Sequence, residues 1–386
     1  MARATRADFV LDPELVFLNH GSFGATPRTV LDARLRLEHE MERNPVEWLG
    51  RRADELMAQA RSVAASFVGA EPDDLVFFPN PSTAFNMVAR CIALGAGDEV
   101  LTTDHEYGAM ERTWRKRCAE VGASWVPAAI PLPVTTPEDF VERVWSAVTP
   151  RTRVIFLSHI TSATALVFPV AELCRRARER GILSVIDGAH APGHVDLDLG
   201  SLGADVYTGA FHKWVCAPKG SSFLWARREV QPLLHPLVVS WGWDADAPGP
   251  SQFVDWHEWQ GTRDLSAFLA TSEAIHFAEQ HDWRETRDAC RRLVLEARSR
   301  VGLVTGLPAV SPPQDDGVHR WIGQMAVVRL PDHVEVSKLQ RELFEKCRIE
   351  VPCHRWRGQA LMRISIAAHT VESDIDALVE ALRSLL

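Results

Sequence analysis

The sequence lacks the features that mark several common classes of protein. No apolar run approaches the roughly 18 residues that a membrane-spanning helix needs. The charged residues at the start are not followed by an apolar stretch, so we expect no signal peptide and a cytoplasmic location. The seven cysteines form no C-x-x-C pair and have no zinc-ligand spacing, which favours reduced thiols and no metal site.

An excess of positive charge is also missing. Lys and Arg total 42 against 51 Asp and Glu, which gives a formal net charge of −9. A net acidic chain without a long basic run is a poor candidate for binding nucleic acid. Apolar residues make up 46% and charged residues 24% of the 386 residues, as expected for a soluble globular protein with a sizeable core.

Short apolar runs alternate with helical patterns between about residues 60 and 226. This alternation predicts β-α-β units around a mostly parallel sheet, whose strands are buried on both faces. The predicted strands are 75–78, 99–102, 125–127, 154–158, 182–186 and 204–207, and the predicted helices are 82–94, 106–121 and 171–180.

The pattern changes after residue 236 and predicts a second, smaller α/β unit. Residues 236–262 indicate a long ordered loop, and residues 267–301 form one long helical pattern. Strands are predicted at 325–330 and 362–366, and helices at 336–346 and 372–386. We therefore predict a large domain at 30–262, and a small domain formed by 1–29 and 263–386.

Polar side chains follow five of the predicted strands. Ligands of parallel α/β sheets bind beyond the carboxyl ends of the strands. Each group alone has a structural explanation, as a helix cap or a core histidine, but their coincidence at one edge favours a site. The five segments are 80–83, 102–107, 158–162, 187–190 and 208–214.

These residue types suit the chemistry of pyridoxal phosphate (PLP). A lysine in a partly dry pocket loses its proton more easily and forms a Schiff base with a carbonyl, a role that fits Lys213. Asp187 would keep the pyridine nitrogen protonated, and His105 would stack on the ring. Ser82 and Thr83 at a helix start would hold the phosphate.

Five motifs stand out along the chain, at 17–24, 103–110, 158–162, 187–190 and 212–214. Together they resemble the class V aminotransferase family of fold-type I PLP enzymes, in the branch that contains isopenicillin N epimerase. The resemblance spans nearly the whole chain, and the Asp-His-Glu-Tyr-Gly-Ala-Met run at 104–110 indicates the epimerase branch. The fold it implies is a large domain with a mostly parallel seven-stranded sheet between helices, plus a smaller α/β C-terminal domain.

The resemblance also implies roles for individual residues. Lys213 resembles the Schiff-base lysine, Asp187 the partner of the pyridine nitrogen and His105 the ring-stacking residue. Arg363 resembles the arginine that pairs with the substrate α-carboxylate, a task that suits the bidentate guanidinium. Further implied contacts to the cofactor are His190, Ser162 or Thr161, Ser82, Thr83 and His212, and those to the substrate are Asn19 and His20.

Three features of the sequence either imply a second subunit or depart from the family pattern. Gly261-Thr262 resembles the element that reaches the phosphate of a neighbouring subunit, which implies a homodimer with shared sites. Ala210 stands where relatives commonly have a polar residue near the phosphate, so one phosphate contact is either missing or supplied by Thr208. The two arginines in 351–358 indicate either an acidic substrate tail or a solvated basic loop.

Several reactions fit this site core. The epimerase branch favours epimerisation or racemisation at the α-carbon of an amino acid or amino-acid conjugate, with Lys213 as the base. A C–S β-elimination lyase and an aminotransferase are alternatives. A cysteine desulfurase would need a nucleophilic cysteine on a mobile loop, for which Cys353 is the candidate. A non-enzymatic scaffold is disfavoured because the lysine and the aspartate are intact.

Overall fold

The computed structural model describes residues 3–312 and 319–386. Its twelve strands within these residues fall into three sheets. The strands are β1 (Val16–Phe17), β2 (Leu75–Phe78), β3 (Glu99–Thr103), β4 (Ser124–Ala128), β5 (Thr152–Ser158), β6 (Leu183–Gly188), β7 (Val206–Ala210), β8 (Ser222–Ala226), β9 (Met325–Arg329), β10 (Ile349–Glu350), β11 (Cys353–Trp356) and β12 (Gln359–Ser365).

Helices separate and follow these strands. They are α1 (His20–Phe23), α2 (Arg28–Arg43), α3 (Pro45–Glu47), α4 (Ala53–Phe67), α5 (Pro81–Cys91), α6 (Gly108–Val121), α7 (Pro137–Trp145), α8 (Val170–Glu179), α9 (Leu199–Leu202), α10 (Gln252–Glu258), α11 (Ser266–Leu269), α12 (Thr271–Gln280), α13 (Trp283–Thr305), α14 (Val336–Cys347) and α15 (Glu372–Leu385). Among the described residues, none of these helices combines the length and apolar character needed to cross a membrane.

A mixed seven-stranded sheet forms the centre of the large part of the molecule. Its strand order is β2-β8-β7-β6-β5-β3-β4, and β8 alone runs against the other six. The inner strands are buried along nearly their whole length, as their continuous apolar runs predict. Two apolar clusters, one on each side of this sheet, pack the helices against it. The predicted mostly parallel seven-stranded sheet is confirmed.

The strand register brings the predicted polar residues to one edge of the sheet. Ser158 at the end of β5 pairs with Asp187 on β6, and Asp187 pairs with Thr208 on β7. The turn that contains Lys213 follows β7 directly. Chemistry-bearing side chains therefore collect at the carboxyl ends of neighbouring parallel strands.

A smaller antiparallel sheet, ordered β11-β12-β9, completes the fold. The N-terminal segment joins it, because β1 pairs in parallel with β10 and Asn19 forms a bridge with Ser365 at the end of β12. This connection carries residues 19–23 from the start of the chain to the same edge of the large sheet. The smaller C-terminal unit is confirmed, and the domain limits 30–262, 1–29 and 263–386 stay predictions.

Three local expectations were incomplete. The helical pattern at 267–301 is three helices, because the chain turns after Leu269 and again at Asp282, whose φ of 44° ends the helical path. The segment 236–262 contains the helix α10 at its end. Residues 351–358 are largely strand β11 and its turn rather than a loop, since β11 pairs along its length with β12.

Candidate active site

The candidate site is a cavity of about 420 Å³ at the carboxyl ends of the central strands. Its floor is polar and carries Lys213, Asp187 and His190, whereas Phe23, Tyr107 and other apolar side chains form part of its wall. The lining residues are Ser22, Phe23, Pro79, Asn80, Pro81, Ser82, Tyr107, Met110, Ser158, Ile160, Ser162, Asp187, Ala189, His190, His212, Lys213, Lys219 and Gly220.

Lys213 lies in the turn after β7 and places its amine in the cavity. Its Nζ atom is 3.2 Å from Nε2 of His190. Burial lowers the pKa of Lys213 to about 8; the charge of Asp187 opposes this shift, and that of Arg363 adds to it. Near neutral pH roughly a tenth of the amine is then unprotonated, far more than for a free lysine, and the unprotonated amine is the form that attacks a carbonyl.

A glycine in the N-terminal segment fits closely against this lysine turn. Gly24 has a φ of 72°, and a Cβ atom there would lie 2.3 Å from the backbone oxygen of His212. Any other residue would therefore be strained and would push the turn out of place. His20 holds the same turn from beneath, because its Nε2 lies 3.0 Å from the Lys213 backbone oxygen.

Asp187 is a buried acid at the end of β6. One carboxylate oxygen accepts a hydrogen bond from the backbone N–H of Ala189 at 2.9 Å. Burial raises the pKa of Asp187, while this hydrogen bond and the charge of Lys213 oppose the rise. An acid whose charge is poorly satisfied by the protein is suited to pair with a cationic nitrogen of a ligand.

The end of the cavity that the sequence predicts to bind phosphate is built around the start of α5. Asn80 caps this helix by accepting hydrogen bonds from the Thr83 N–H at 2.8 Å and the Thr83 hydroxyl at 3.1 Å. Ser82, His212 and Lys219 line the cavity at this end. A helix N-terminus beside a hydroxyl and an ammonium group is suited to bind a phosphate.

Two residues expected at this end, Thr208 and Thr83, are not among the residues that line the cavity. Thr208 does not line the cavity; it is fully buried on β7, and its hydroxyl has no partner among the described residues. Lys219, which the motifs did not single out, lines the cavity six residues after Lys213. The backbone N–H and the hydroxyl of Thr83 both donate to the side-chain oxygen of Asn80 in the helix cap. Neither donor therefore faces the cavity.

Arg363 on β12 carries a buried guanidinium group. It donates to the Ser162 backbone oxygen at 2.9 Å and to the Ser22 hydroxyl at 2.9 Å, and both serines line the cavity. Within the described residues no carboxylate pairs with Arg363, and its Nε has no hydrogen-bond partner. Burial lowers the pKa of Arg363 to about 10. An uncompensated buried charge of this kind favours an incoming carboxylate.

Asn19 and His20 were both expected to contact substrate. Asn19 lies beside Arg363, with its side-chain oxygen 3.4 Å from the guanidinium. His20 is fully buried and does not line the cavity, because its ring contacts His369 at 3.1 Å as well as the Lys213 backbone. The structure thus places Asn19 with the guanidinium and gives His20 a supporting position under the lysine.

His105 is also placed away from the cavity surface. It is fully buried, with Nδ1 2.7 Å from the Thr164 hydroxyl and Nε2 2.8 Å from the Ile130 backbone oxygen. The ring packs instead against Trp356 at a centroid distance of 4.4 Å. Tyr107, two residues later at the start of α6, lines the cavity. Its place in the same motif, 103–110, was the signal that could have identified it.

Glu106, between these two residues, is a carboxylate held by hydroxyl and amide donors. It accepts from the Ser158 N–H at 2.9 Å, the Ser158 hydroxyl at 2.6 Å and the Thr103 hydroxyl at 2.7 Å. Burial raises the pKa of Glu106 to about 7, and the nearby charge of Asp187 adds to the rise. The motifs gave this residue no role, although it fixes a serine of the cavity wall.

The remaining candidates lie outside the cavity. Thr262 is exposed in the chain between α10 and α11, so its implied contact with a neighbouring subunit stays a prediction. Arg355 donates to backbone oxygens of its own turn and of residues 332 and 334, and Arg357 pairs with Asp104. Both arginines of the 351–358 segment are therefore engaged with the protein.

Cys353 has the properties of a structural thiol. It is 7% exposed at the start of β11, where its N–H donates to the Gln340 side chain at 2.9 Å. Burial raises the pKa of Cys353 to about 12. It does not line the cavity that holds Lys213. Within the described residues, no group of three or more His, Cys, Asp or Glu side chains has the placement to hold a metal ion.

Comparison with known proteins identifies the family. The sequence model of the family "Aminotransferase class-V" matches residues 16–378. The chain belongs to the class V aminotransferase family. As a member of this family it is a PLP-dependent enzyme, and pyridoxal phosphate is its cofactor.

Curated relatives of this class V chain include isopenicillin N epimerases. That of Amycolatopsis lactamdurans is 36% identical, over 98% of this chain and 97% of its own. That of Streptomyces clavuligerus is 34% identical, with the same coverage. A probable L-cysteine desulfhydrase of Arabidopsis thaliana is 27% identical, over 97% of this chain and 84% of its own.

Solved structures share the fold of this class V chain at low sequence identity. A variant of the protein C-DES, with glycine covalently linked to its PLP cofactor, matches with a TM-score of 0.86 and 18% identity over 98% of both chains. The apo cysteine desulfurase of Thermococcus onnurineus matches with a TM-score of 0.83 and 19% identity, over 100% of this chain and 99% of that one. The fold-type I architecture is therefore confirmed.

The donor set of the cavity fits PLP. The amine of Lys213 has a lowered pKa, and Asp187 provides a buried acid for a ring nitrogen. Ser82, Lys219 and the start of α5 are suited to the phosphate. When bound, PLP acts as an electron sink for negative charge that develops at the α-carbon of an amino acid. Arg363 does not itself line the cavity; its guanidinium borders it through Ser22 and Ser162.

Proposed function

We propose that this enzyme epimerises or racemises the α-carbon of an amino acid or amino-acid conjugate. The observation that carries the proposal is the buried, uncompensated guanidinium of Arg363, which contacts two wall residues of the cavity that holds Lys213. This arrangement would anchor an α-carboxylate close to the amine. The full-length similarity to two isopenicillin N epimerases, at 36% and 34% identity, supports this reaction over the alternatives.

In this proposal each residue has a limited task. Lys213 attaches the cofactor and moves the α-proton, and Asp187 holds the proton of the pyridine nitrogen. Arg363 binds the α-carboxylate. The phosphate contacts come from Ser82, His212 and Lys219, and from Thr262 of a second copy of this chain in a homodimer with shared sites.

We assign the aromatic contact with the cofactor ring to Tyr107 instead of His105. Tyr107 lines the cavity, whereas His105 is buried with both ring nitrogens engaged. An aromatic side chain against the flat ring contributes roughly 0.5–1.5 kcal/mol beyond its buried area. Ser162 is assigned to orient Arg363, because its backbone oxygen and its hydroxyl both accept from that guanidinium.

A cysteine desulfurase is disfavoured by the surroundings of Cys353. Desulfurase chemistry needs a thiolate that reaches the substrate, and only the thiolate is nucleophilic. The thiol of Cys353 is buried in a paired strand, and burial raises its pKa to about 12. None of the other cysteines lines the cavity.

A C–S lyase that eliminates a β-substituent is the second candidate. It is favoured by the similarity to a probable L-cysteine desulfhydrase over 97% of this chain. The same lysine, acid and arginine would serve both reactions, and the difference lies in what leaves after the α-proton.

Heavy water distinguishes the two reactions in one experiment. The PLP-loaded protein would be incubated in heavy water with amino acids and peptide-like conjugates, without a keto acid, and the products analysed by mass spectrometry and chiral chromatography. An epimerase introduces deuterium at the α-carbon of an intact skeleton and yields both configurations. A keto acid with loss of the β-substituent would instead establish a lyase. Loss of the amino group to the cofactor after a single turnover would establish an aminotransferase.

A further inference from the structure

Trp214, the neighbour of Lys213 in sequence, is a buried side chain to which the proposed function gives no role. It is 1% exposed. Its indole Nε1 donates to Nδ1 of His190 at 3.3 Å. The indole packs against the rings of His194 and His20, at centroid distances of 4.3 and 5.1 Å, so its orientation is set by its neighbours.

The indole determines where His190 carries its proton. The Nε1–H group of tryptophan is only a donor, so Nδ1 of His190 must present a lone pair to it. A neutral imidazole has a single ring proton, which then lies on Nε2. Burial holds the pKa of His190 well below its usual value, and the charges of Lys213, Arg363, His194 and His212 act in the same direction.

The protonated Nε2 of His190 points to the amine of Lys213. The distance between Nε2 and Nζ is 3.2 Å, which is a hydrogen-bond distance. An ammonium group has no lone pair, so a hydrogen bond donated by His190 requires the neutral amine. Asp187 acts in the opposite direction, since its charge favours the ammonium form, and Arg363 disfavours it.

We propose that Trp214 is a positioning residue that fixes the Nε2–H tautomer of His190, which in turn favours the neutral amine of Lys213 over the ammonium form. The neutral amine then attaches the cofactor. The Nζ lone pair forms a bond to the aldehyde carbon of PLP, and the carbonyl oxygen leaves as water with two protons from the amine. No oxidant or reductant is needed, and the product is the carbon–nitrogen double bond.

The test compares two tryptophans in the full-length protein. Trp214→Phe removes the donor and keeps an aromatic ring. Trp48→Phe is the matched control, because Trp48 is 2% exposed and its Nε1 has no hydrogen-bond partner among the described residues. Holoenzyme is stripped of PLP, PLP is added back between about pH 6 and pH 9.5, and the rate at which visible absorbance returns is measured.

In the wild type and in Trp48→Phe, the attachment rate should rise with pH and level off near the pKa of Lys213, about 8. In Trp214→Phe, His190 is free to carry its proton on Nδ1, and its Nε2 then accepts from an ammonium group. We expect the profile to move to higher pH by about one unit, so that attachment at pH 7 is roughly tenfold slower. A profile identical to that of the wild type would overturn the proposal.

The tautomer itself provides a second test that does not depend on the folding of a tryptophan variant. Nitrogen NMR of wild-type protein labelled at histidine distinguishes protonated from unprotonated ring nitrogens, and His190→Gln identifies the signals that belong to His190. We expect an unprotonated Nδ1 and a protonated Nε2 in the cofactor-free protein; the reverse assignment would overturn the proposal.

The inference rests on the assignment of Lys213 to the cofactor and not on the reaction type. A protein that never attaches PLP would defeat the proposed function as well. Normal attachment with an unchanged pH profile in Trp214→Phe would defeat this inference alone.

Discussion

Replacement of Arg363 tests how the substrate is held. Arg363→Ala removes the guanidinium that donates to Ser22 and Ser162 and that has no carboxylate partner within the described residues. If this charge binds the α-carboxylate, the variant should bind substrate poorly, while its PLP should be attached normally. Arg363→Lys keeps a positive charge and loses the two-pronged geometry, so it should recover part of the loss.

The expected size of the effect follows from the burial of the guanidinium. Loss of one partner from a buried, hydrogen-bonded charge pair costs about 2–5 kcal/mol. A value of about 3 kcal/mol corresponds to a rise in KM of roughly 150-fold. Arg363→Lys should lie between the two proteins, with KM raised roughly tenfold, because a single ammonium forms fewer of the parallel hydrogen bonds.

The assay measures KM and kcat with a substrate identified by deuterium incorporation, alongside the visible absorbance of the bound cofactor. Arg355→Ala is the matched control, because Arg355 lies on the neighbouring strand and donates to backbone oxygens of its turn and of residues 332 and 334. Its KM should stay within twofold of the wild type. A KM for Arg363→Ala within threefold of the wild type would refute the carboxylate assignment.

Three further predictions concern other residues of the site. Tyr107→Ala should weaken PLP binding about three- to tenfold in equilibrium titrations, because the contact with the cofactor ring is lost. His105→Gln should leave PLP affinity unchanged and lower the free energy of unfolding by roughly 1–3 kcal/mol, because buried hydrogen bonds are lost. The opposite pattern would restore the stacking role to His105. Lys219→Ala should raise the Kd for PLP at least about tenfold through loss of a charged phosphate contact, and little change would show that Lys219 makes none. Cys353→Ser should keep its activity within twofold in the heavy-water assay, and complete loss with a persulfide on Cys353 in the wild type would revive the desulfurase reaction.

The large sheet could be predicted because its strands are short apolar runs buried on both faces. The segments at 75–78, 99–102, 154–158 and 182–186 match β2, β3, β5 and β6 closely. The strand β8, Ser222–Ala226, was not predicted. It is a short run without a helix before it, and its antiparallel pairing with β7 does not follow the β-α-β pattern.

The helices after residue 263 show that apolar periodicity does not predict where one helix ends and the next begins. Apolar residues continue at helical spacing through the breaks at Ala270 and Asp282, because α11, α12 and α13 all bury one face. The change in chain direction depends on backbone geometry, such as the φ of 44° at Asp282, which leaves no trace in the apolar pattern.

The sequence predicts which segments meet at the site better than it predicts which of their side chains face the cavity. Strand order brings Asp187, His190 and Lys213 together, and a parallel sheet makes this placement predictable. The segment after β3 is irregular, so the sequence around His105 and Tyr107 has no strand or helix periodicity. The sequence therefore does not show which of the two side chains faces the cavity. Only tertiary contacts with Ile130, Thr164 and Trp356 turn His105 inward.

The attachment point of the cofactor is the most direct test of the account, because two lysines, Lys213 and Lys219, line the same cavity. Borohydride reduction of the PLP-loaded protein fixes the cofactor to its lysine, and peptide mass spectrometry then locates it. The account predicts the adduct on Lys213 alone, and its loss together with the visible absorbance in Lys213→Ala. An adduct on Lys219 or no adduct, or visible absorbance that persists in Lys213→Ala, would contradict it.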